Sequence, residues 1–265
     1  MRILVTAKPV AIIEDKLVFR DNNRDVDPSC LAHYLNEWDD YSIGEAAKIK
    51  EAYEDQEIEI VAVSVGGDHA EDTLRQCLAK GADRAIRIWD EALEEHSGPL
   101  TIAKIISEVA RNEAPDMVFA GVQSNDQVFS ATGTAIAAYL NWPHASAVSK
   151  IEWTPGNQRA TITRGLEAGL SEQLEIQCPA VLVIQTGVNS LHYPTLREVR
   201  DARSKPLEVL SLADLGLGED ELGEAGFHVR SMYVPEKATQ AELIEGSRDE
   251  QATRLVEIIE EVKRS

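Results

Sequence analysis

The first 140 residues alternate between short apolar runs and segments whose apolar positions recur every three or four residues, and few architectures satisfy that rhythm. Arg2-Ile3-Leu4-Val5-Thr6-Ala7, Ile58 to Ser64, Ala85-Ile86-Arg87-Ile88 and Met117-Val118-Phe119-Ala120 read as strands buried on both faces. Between the first two, Ile43, Ala46, Ala47, Ile49 and Tyr53 lie on or near one helical face, with Ser42 or Asp40 as the expected cap. A second helix is predicted from about Ala70 to Lys80 and is stopped by Gly81-Ala82-Asp83. Leu100 to Asn112 carries Ile102, Ile105, Ile106 and Val109 in one stripe. This β-α-β-α-β-α-β-α order predicts a doubly wound, mostly parallel α/β sheet. Ligands are then expected at the carboxyl ends of the strands, where Ala7, Ser64-Val65-Gly66-Gly67 and Gly121-Val122-Gln123 converge.

The stretch from Gly121 to Pro143, GVQSNDQVFSATGTAIAAYLNWP, leads from the fourth strand through a polar loop into a further helix. A helix start offers free backbone N–H groups and the positive end of its dipole, and Ser130, Thr132 and Thr134 add small hydroxyl donors, which suits a phosphate. An ordinary N-cap, with Ser130 or Thr132 serving only its own helix, is the alternative, and the stretch by itself favours it.

Residues 14 to 34, with a β-like run at Lys16 to Arg20, suggest a hairpin or a long loop. After Pro143, Ala147 to Trp153, Ala160 to Arg164 and Ala180 to Ile184 read as strands that extend the sheet antiparallel, the first two joined by a Thr154-Pro155-Gly156-Asn157 turn. The chain thus divides into an α/β domain over 1–188, an exposed polar segment over 189–205 with a short helix from Thr195, and an acidic tail over 206–265. The tail ends in a helix from about Asp249 to Arg264. Its stripe of Ala252, Leu255, Val256, Ile259 and Val262 needs cover, by default from its own domain and otherwise from a partner chain.

Charge and motif content narrow the function. A net charge of −20 makes nucleic acid or an anionic membrane an unsuitable partner. Cys30, Cys77 and Cys178 lie far apart and form no C-x-x-C pair, so they read as reduced thiols. With no apolar stretch of membrane-spanning length and an N-terminus that enters a strand at once, the expected compartment is the cytoplasm. Ser64-Val65-Gly66-Gly67-Asp68 holds only part of the S-G-G-x-D-S loop of ATP-pyrophosphatases, which is the sole support for an ATP-using hydrolase. Neither a dinucleotide G-x-G-x-x-G nor a Walker loop is present, and the six histidines lack metal-ligand spacing. A nucleotide-binding module without bond-breaking chemistry of its own gains weight.

Several ordered motifs carry a resemblance. Asn36-Glu37-Trp38-Asp39-Asp40-Tyr41-Ser42-Ile43-Gly44-Glu45-Ala46, Ala62-Val63-Ser64-Val65-Gly66, Gly81-Ala82-Asp83-Arg84, Gln123 through Asp126 to Thr132-Gly133, and Trp142-Pro143 are similar to the β subunit of electron-transfer flavoprotein. So is Ile162 to Leu174, ITRGLEAGLSEQL, followed by Pro179-Ala180-Val181, close to that family's signature, although Ala168 and Val183 depart from its usual residues. The resemblance spans about Met1 to Leu217.

It implies the family's version of the adenine-nucleotide α-hydrolase-like fold and a heterodimer in which the α subunit holds most of the redox-active FAD. Such a protein carries electrons from flavin-containing dehydrogenases to a quinone-reducing membrane oxidoreductase and has no catalysis of its own. The β subunit's nucleotide is AMP in most members and a second FAD in electron-bifurcating members, which typically have Val where Thr132 stands here, so AMP is favoured. By similarity the AMP contacts are Ala7, Asn36, Val65, Gly66, Gln123, Asp126, Thr132 and Gly133. Asn36 would read adenine or ribose, and Thr132-Gly133 the phosphate. Asp126 would orient a backbone group or the ribose, since a carboxylate repels phosphate.

Trp38 matches an aromatic near the flavin, with a plain core tryptophan as the alternative. Glu172 resembles an acid that steadies the mobile flavin domain. Tyr193 to Arg203 looks like the recognition loop, with Leu196 as the dehydrogenase anchor and Tyr193, Arg197 and Arg200 around it. Arg197 replaces the usual Pro and Asp201 interrupts the basic run.

Overall fold

The computed structural model describes residues 1–14, 16–94, 98–222, 229–234 and 243–264. In chain order the elements begin β1 (Arg2–Thr6), β2 (Pro9–Ile13), β3 (Leu31–Leu35), α1 (Glu37–Ala52), β4 (Glu59–Val65), α2 (His69–Ala79), β5 (Arg84–Ile88), α3 (Pro99–Glu113), β6 (Met117–Gly121) and α4 (Thr132–Leu140). Then come β7 (His144–Glu152), β8 (Arg159–Gly165), β9 (Ser171–Gln177), β10 (Ala180–Ile184), α5 (Leu196–Ala202), β11 (Leu207–Leu210) and α6 (Arg248–Arg264).

Nine strands form one sheet in the order β11-β5-β4-β1-β6-β10-β7-β8-β9, and β2 with β3 forms a small antiparallel pair. β1 lies inside the sheet, parallel to β4 on one side and β6 on the other. Consecutive residues of β1 feed opposite layers. Ile3 and Val5 pack with Ile43, Ile49 and Leu74 of α1 and α2, while Leu4 packs with Ile105, Ile106, Val109 and Ile136 of α3 and α4. Ile3, Leu4 and Val5 are all fully buried, the condition that makes a parallel strand read as an unbroken apolar run.

The expected doubly wound α/β class is the observed one, with four local differences. Ala180–Ile184 does not belong to the antiparallel extension: β10 runs parallel to both β6 and β7, and only β7-β8-β9 are mutually antiparallel. Five successive buried apolar residues suit that interior position. α1 begins at Glu37, ahead of the expected caps: Ser42 donates to the Trp38 carbonyl inside the helix (2.9 Å), and Asp40 pairs with Lys80 (2.8 Å). β11 adds an edge strand parallel to β5 that the half-exposed LEVL pattern conceals. In the hairpin region, among the described residues, a single bridge joins Phe19 to Val26, and the longer pairing is carried by β2 and β3.

Among the described residues no helix is long and apolar enough to cross a membrane. α6 keeps Leu255, Val256, Ile259 and Val262 exposed.

The start of α1 presses on the end of β6. A Cβ at Gly121 would come within 2.5 Å of the Asp39 Oδ1 and 2.6 Å of the Trp38 Cβ, closer than any side chain tolerates. Gly121→Ala is therefore predicted to cost about 1–3 kcal/mol, the usual price of overpacking. Urea unfolding reads this directly, and an unchanged midpoint would mean that the first turn of α1 can retreat.

Candidate functional site

The first turn of α1 closes one side of a cleft of about 200 Å³ at the carboxyl ends of the central strands. Thr6, Ala7 and Lys8 enter it from β1, Val65 from β4, Gly121 to Ser124 from β6, and Thr132 from the start of α4, while Ile102 and Ile106 of α3 supply an apolar wall. A doubly wound sheet places its ligand site at this end because the crossovers leave a crevice there. A wider depression of about 720 Å³ lies at the amino ends, around Met1, Arg2, Lys50 and Glu59. Arg2 pairs there with Glu59 at 2.6 Å and Lys50 with Asp83 at 2.5 Å, and the depression is open to solvent, so the carboxyl-end cleft is the candidate site.

Of the residues nominated from the sequence, Ala7, Asn36, Val65, Gln123 and Thr132 line the cleft together. Gly66 instead faces α2, its N–H donating to the Ile88 carbonyl (3.0 Å), and a Cβ added there would meet the Ala70 Cβ at 3.3 Å. Gly133 sits beneath the cleft, where a Cβ would meet the Val183 Cγ2 at 2.9 Å. The Asp126 carboxylate turns to Lys8.

The buried Asn36 side chain is occupied by the protein. Its Nδ2 donates to the Gln123 carbonyl (2.8 Å), its Oδ1 accepts from the Asn125 N–H (3.3 Å), and it also bonds the Asp39 carboxyl. It therefore shapes the cleft by holding the loop after β6. That loop carries backbone in the left-handed region at Val128 (φ 55°) and Ser130 (φ 51°), a conformation that costs of order 1 kcal/mol or more per non-glycine residue and persists only where its surroundings enforce it.

The loop delivers α4 with a bare end. Neither Ser130 nor Thr132 caps it: Ala131 occupies the cap position with no side-chain hydrogen bond, Ser130 donates to the Gln123 Oε1 (3.3 Å), and Thr134 donates to the Ala131 carbonyl (2.9 Å). The first N–H groups of a helix have no intrahelical acceptor, so they point with the dipole's positive end at whatever occupies the cleft.

Two residues of the site escape sequence reading. Asp39, 4% exposed, accepts the backbone N–H of Lys8 (2.8 Å) and of Gly121 (3.2 Å), tying β1, α1 and β6 together. Lys8 Nζ reaches Asp126 at 2.7 Å. An acid in a helix's first turn and a lysine after a strand are both commonplace, and their partners lie far away in sequence, so neither carries a local signal.

The remaining nominated residues lie outside the cleft. Trp38 is half-buried, its Nε1 donating to the Gln185 Oε1 (3.2 Å) just past β10. Glu172 on β9 pairs with Arg164 on β8 at 2.7 Å. Tyr193, just ahead of α5, and Leu196, its first residue, stand 80% and 91% exposed, and Thr195 and Glu198 lock the helix start in a reciprocal capping box. Arg197 and Arg200 share Asp201, each at 3.5 Å. Among the described residues no group of three or more His, Cys, Asp or Glu could hold a metal ion.

Burial pushes the Asp39 carboxyl up to about 7, against the donors that favour its charge. Between about 4 and about 7 the folded chain then keeps a proton that the unfolded chain has lost, so this residue's contribution to stability falls as pH rises through that window and is flat above it. Asp39→Asn removes that dependence. The unfolding free energy of the variant minus that of the wild type is predicted to rise from pH 4 to pH 7 with a slope approaching about 1.4 kcal/mol per pH unit. Urea titrations across the range test this, and a flat difference contradicts it.

Comparison with known proteins identifies the family. The profile of the electron transfer flavoprotein domain matches residues 31–215. The electron transfer flavoprotein subunit beta of Methylophilus methylotrophus is 49% identical over 265 residues, covering 99% of both chains. The mitochondrial subunit beta of Arabidopsis thaliana is 34% identical over 215 residues, covering 81% of this chain and 83% of that one. That of Bos taurus is 32% identical over 218 residues, covering 82% and 84%. By the extent of the domain match and by identity along its whole length, the chain belongs to the electron transfer flavoprotein family and is similar throughout to that family's β subunits.

Proposed function

We propose that this chain is the β half of a heterodimeric electron carrier, binding AMP as a structural nucleotide while an α subunit holds most of the FAD. FAD supplies the redox chemistry when bound, accepting and releasing electrons one or two at a time, and this chain's residues bind, orient and dock. The observation that carries the reading is the uncapped start of α4 opening on a cleft lined by Ala7, Val65, Gln123 and Thr132. Backbone N–H groups and the Thr132 hydroxyl can replace the water around a phosphate, and the Ile102 and Ile106 wall suits the flat face of a base. Asn36 contributes by fixing the Gln123-to-Asn125 backbone.

The half-buried Trp38 ring lies beside this cleft, where it would pack near the flavin at the subunit boundary. The electron donor would be a flavin-containing dehydrogenase docked on Leu196, with Tyr193, Arg197 and Arg200 as the polar surround, and the acceptor an electron-transfer-flavoprotein–quinone oxidoreductase. Leu196 suits an anchor because it is a large apolar group, 91% exposed, on a helix start that Thr195 and Glu198 fix in place. Glu172 would meet the mobile flavin domain by exchanging its Arg164 partner. The exposed stripe of α6 would be covered by the α subunit, and the whole assembly would work in the cytoplasm.

A second FAD in the β site, as in bifurcating members, is the competing reading, and the hydroxyl of Thr132 at the cleft argues for AMP. Denaturing the purified heterodimer and quantifying released nucleotides separates them. One FAD and one AMP per heterodimer is the predicted outcome. Two FAD and no AMP would overturn the assignment.

A further inference from the structure

Among the described residues that line the cleft, Lys8 is the one cation, and it does not face the ligand space as a free charge. Its ammonium contacts Asp126 Oδ1 at 2.7 Å, Ser124 Oγ at 3.1 Å and Gln127 Oε1 at 3.1 Å. An ammonium has three N–H donors, so all three are spent on one loop. Its own backbone is fixed at both groups, the N–H on Asp39 (2.8 Å) and the carbonyl under the Asn36 N–H (3.0 Å), so the side chain projects from an immobile base.

We propose that Lys8 is a positioning residue, a clamp that closes the 124–127 loop over the cleft and cancels the charge of Asp126, so that an anionic ligand meets a neutral rim. This rests on the reading of the cleft as a nucleotide site. The rim needs such a device. The Asp126 carboxylate is partly screened from water by its Lys8 contact, and placed bare beside a phosphate it would repel it. Burial alone would push its carboxyl up, but the hydrogen bonds from Lys8 and Ser124 and the Lys8 charge hold it below the usual carboxylate range, so it stays ionised and needs its partner. Asp39, the acid that lines the cleft itself, accepts hydrogen bonds from backbone and amide donors and not from the ammonium. Attraction for the anion then comes from the uncapped end of α4, and Lys8 offsets the Asp126 charge that would oppose it.

The test compares wild type, Lys8→Met, Asp126→Asn and the double variant in the full-length heterodimer stripped of nucleotide. Lys8→Gln stands in if Lys8→Met fails to fold. AMP and adenosine are the calorimetric probes. Lys8→Met is predicted to weaken AMP binding about tenfold and adenosine much less, and the double variant to recover most of that loss relative to Lys8→Met. A double variant as weak as Lys8→Met would overturn the proposal, because Lys8 would then be holding the phosphate itself. Equal losses for AMP and adenosine would overturn it as well. Amide exchange over residues 124–128 in the ligand-free protein is predicted to speed up in Lys8→Met, and unchanged exchange would rule out the clamp. If wild type bound neither probe, the nucleotide reading would fail on its own account, and the exchange comparison would still decide the clamp.

Discussion

The buried carboxylate of Asp39 is the contact on which the functional end of the molecule depends. It receives backbone N–H groups from Lys8, just past β1, and from Gly121, at the end of β6, while its own backbone forms the first turn of α1. Three elements far apart in sequence are thereby fixed within a few ångströms of each other. Burial opposes the charge of this group, and the two backbone donors and Asn36 offset only part of the cost. Gly121 follows from the same contact, since α1 approaches β6 too closely for any side chain there.

From that knot the cleft is assembled outward. Asn36, next to the knot, holds the Gln123-to-Asn125 backbone, Lys8 holds Ser124 to Gln127, and the left-handed turns at Val128 and Ser130 swing the chain so that α4 arrives with its bare N-terminus toward the cleft. The order of causes matters. The strands set where the cleft must be, the Asp39 contact sets its width, and the clamped loop sets the direction of the helix dipole. The exposed Tyr193 and Leu196, proposed to recognise another protein, stand apart from the cleft.

What the sequence made legible follows from the range of the interactions involved. β1, β4 and β6 announce themselves because both faces are buried, and α2 and α3 because a single apolar stripe meets the sheet. The position of β10 between β6 and β7 was not legible, because periodicity reports burial and not neighbours. β11 is short and half-exposed, so its pattern is faint. At the site, Thr132, Gln123 and Ala7 could be placed because strand ends and helix starts converge by topology. Lys8 and Asp39 could not: Lys8 finds Asp126 118 residues away, and Asp39 finds Gly121 82 residues away. At Gly66 and Gly133, also nominated as ligand contacts, an added Cβ would crowd Ala70 and Val183, so packing also accounts for glycine there.

The central claim is that the bare start of α4 is a phosphate site within an adenine-nucleotide cleft. A crystal structure of the heterodimer with its own nucleotide tests it most directly. The account predicts phosphate oxygens within hydrogen-bond distance of the backbone N–H groups at Thr132 to Thr134, with the base lying toward Ile102 and Ile106. A nucleotide whose phosphate points away from α4, or a cleft filled by a flavin ring system, would contradict it.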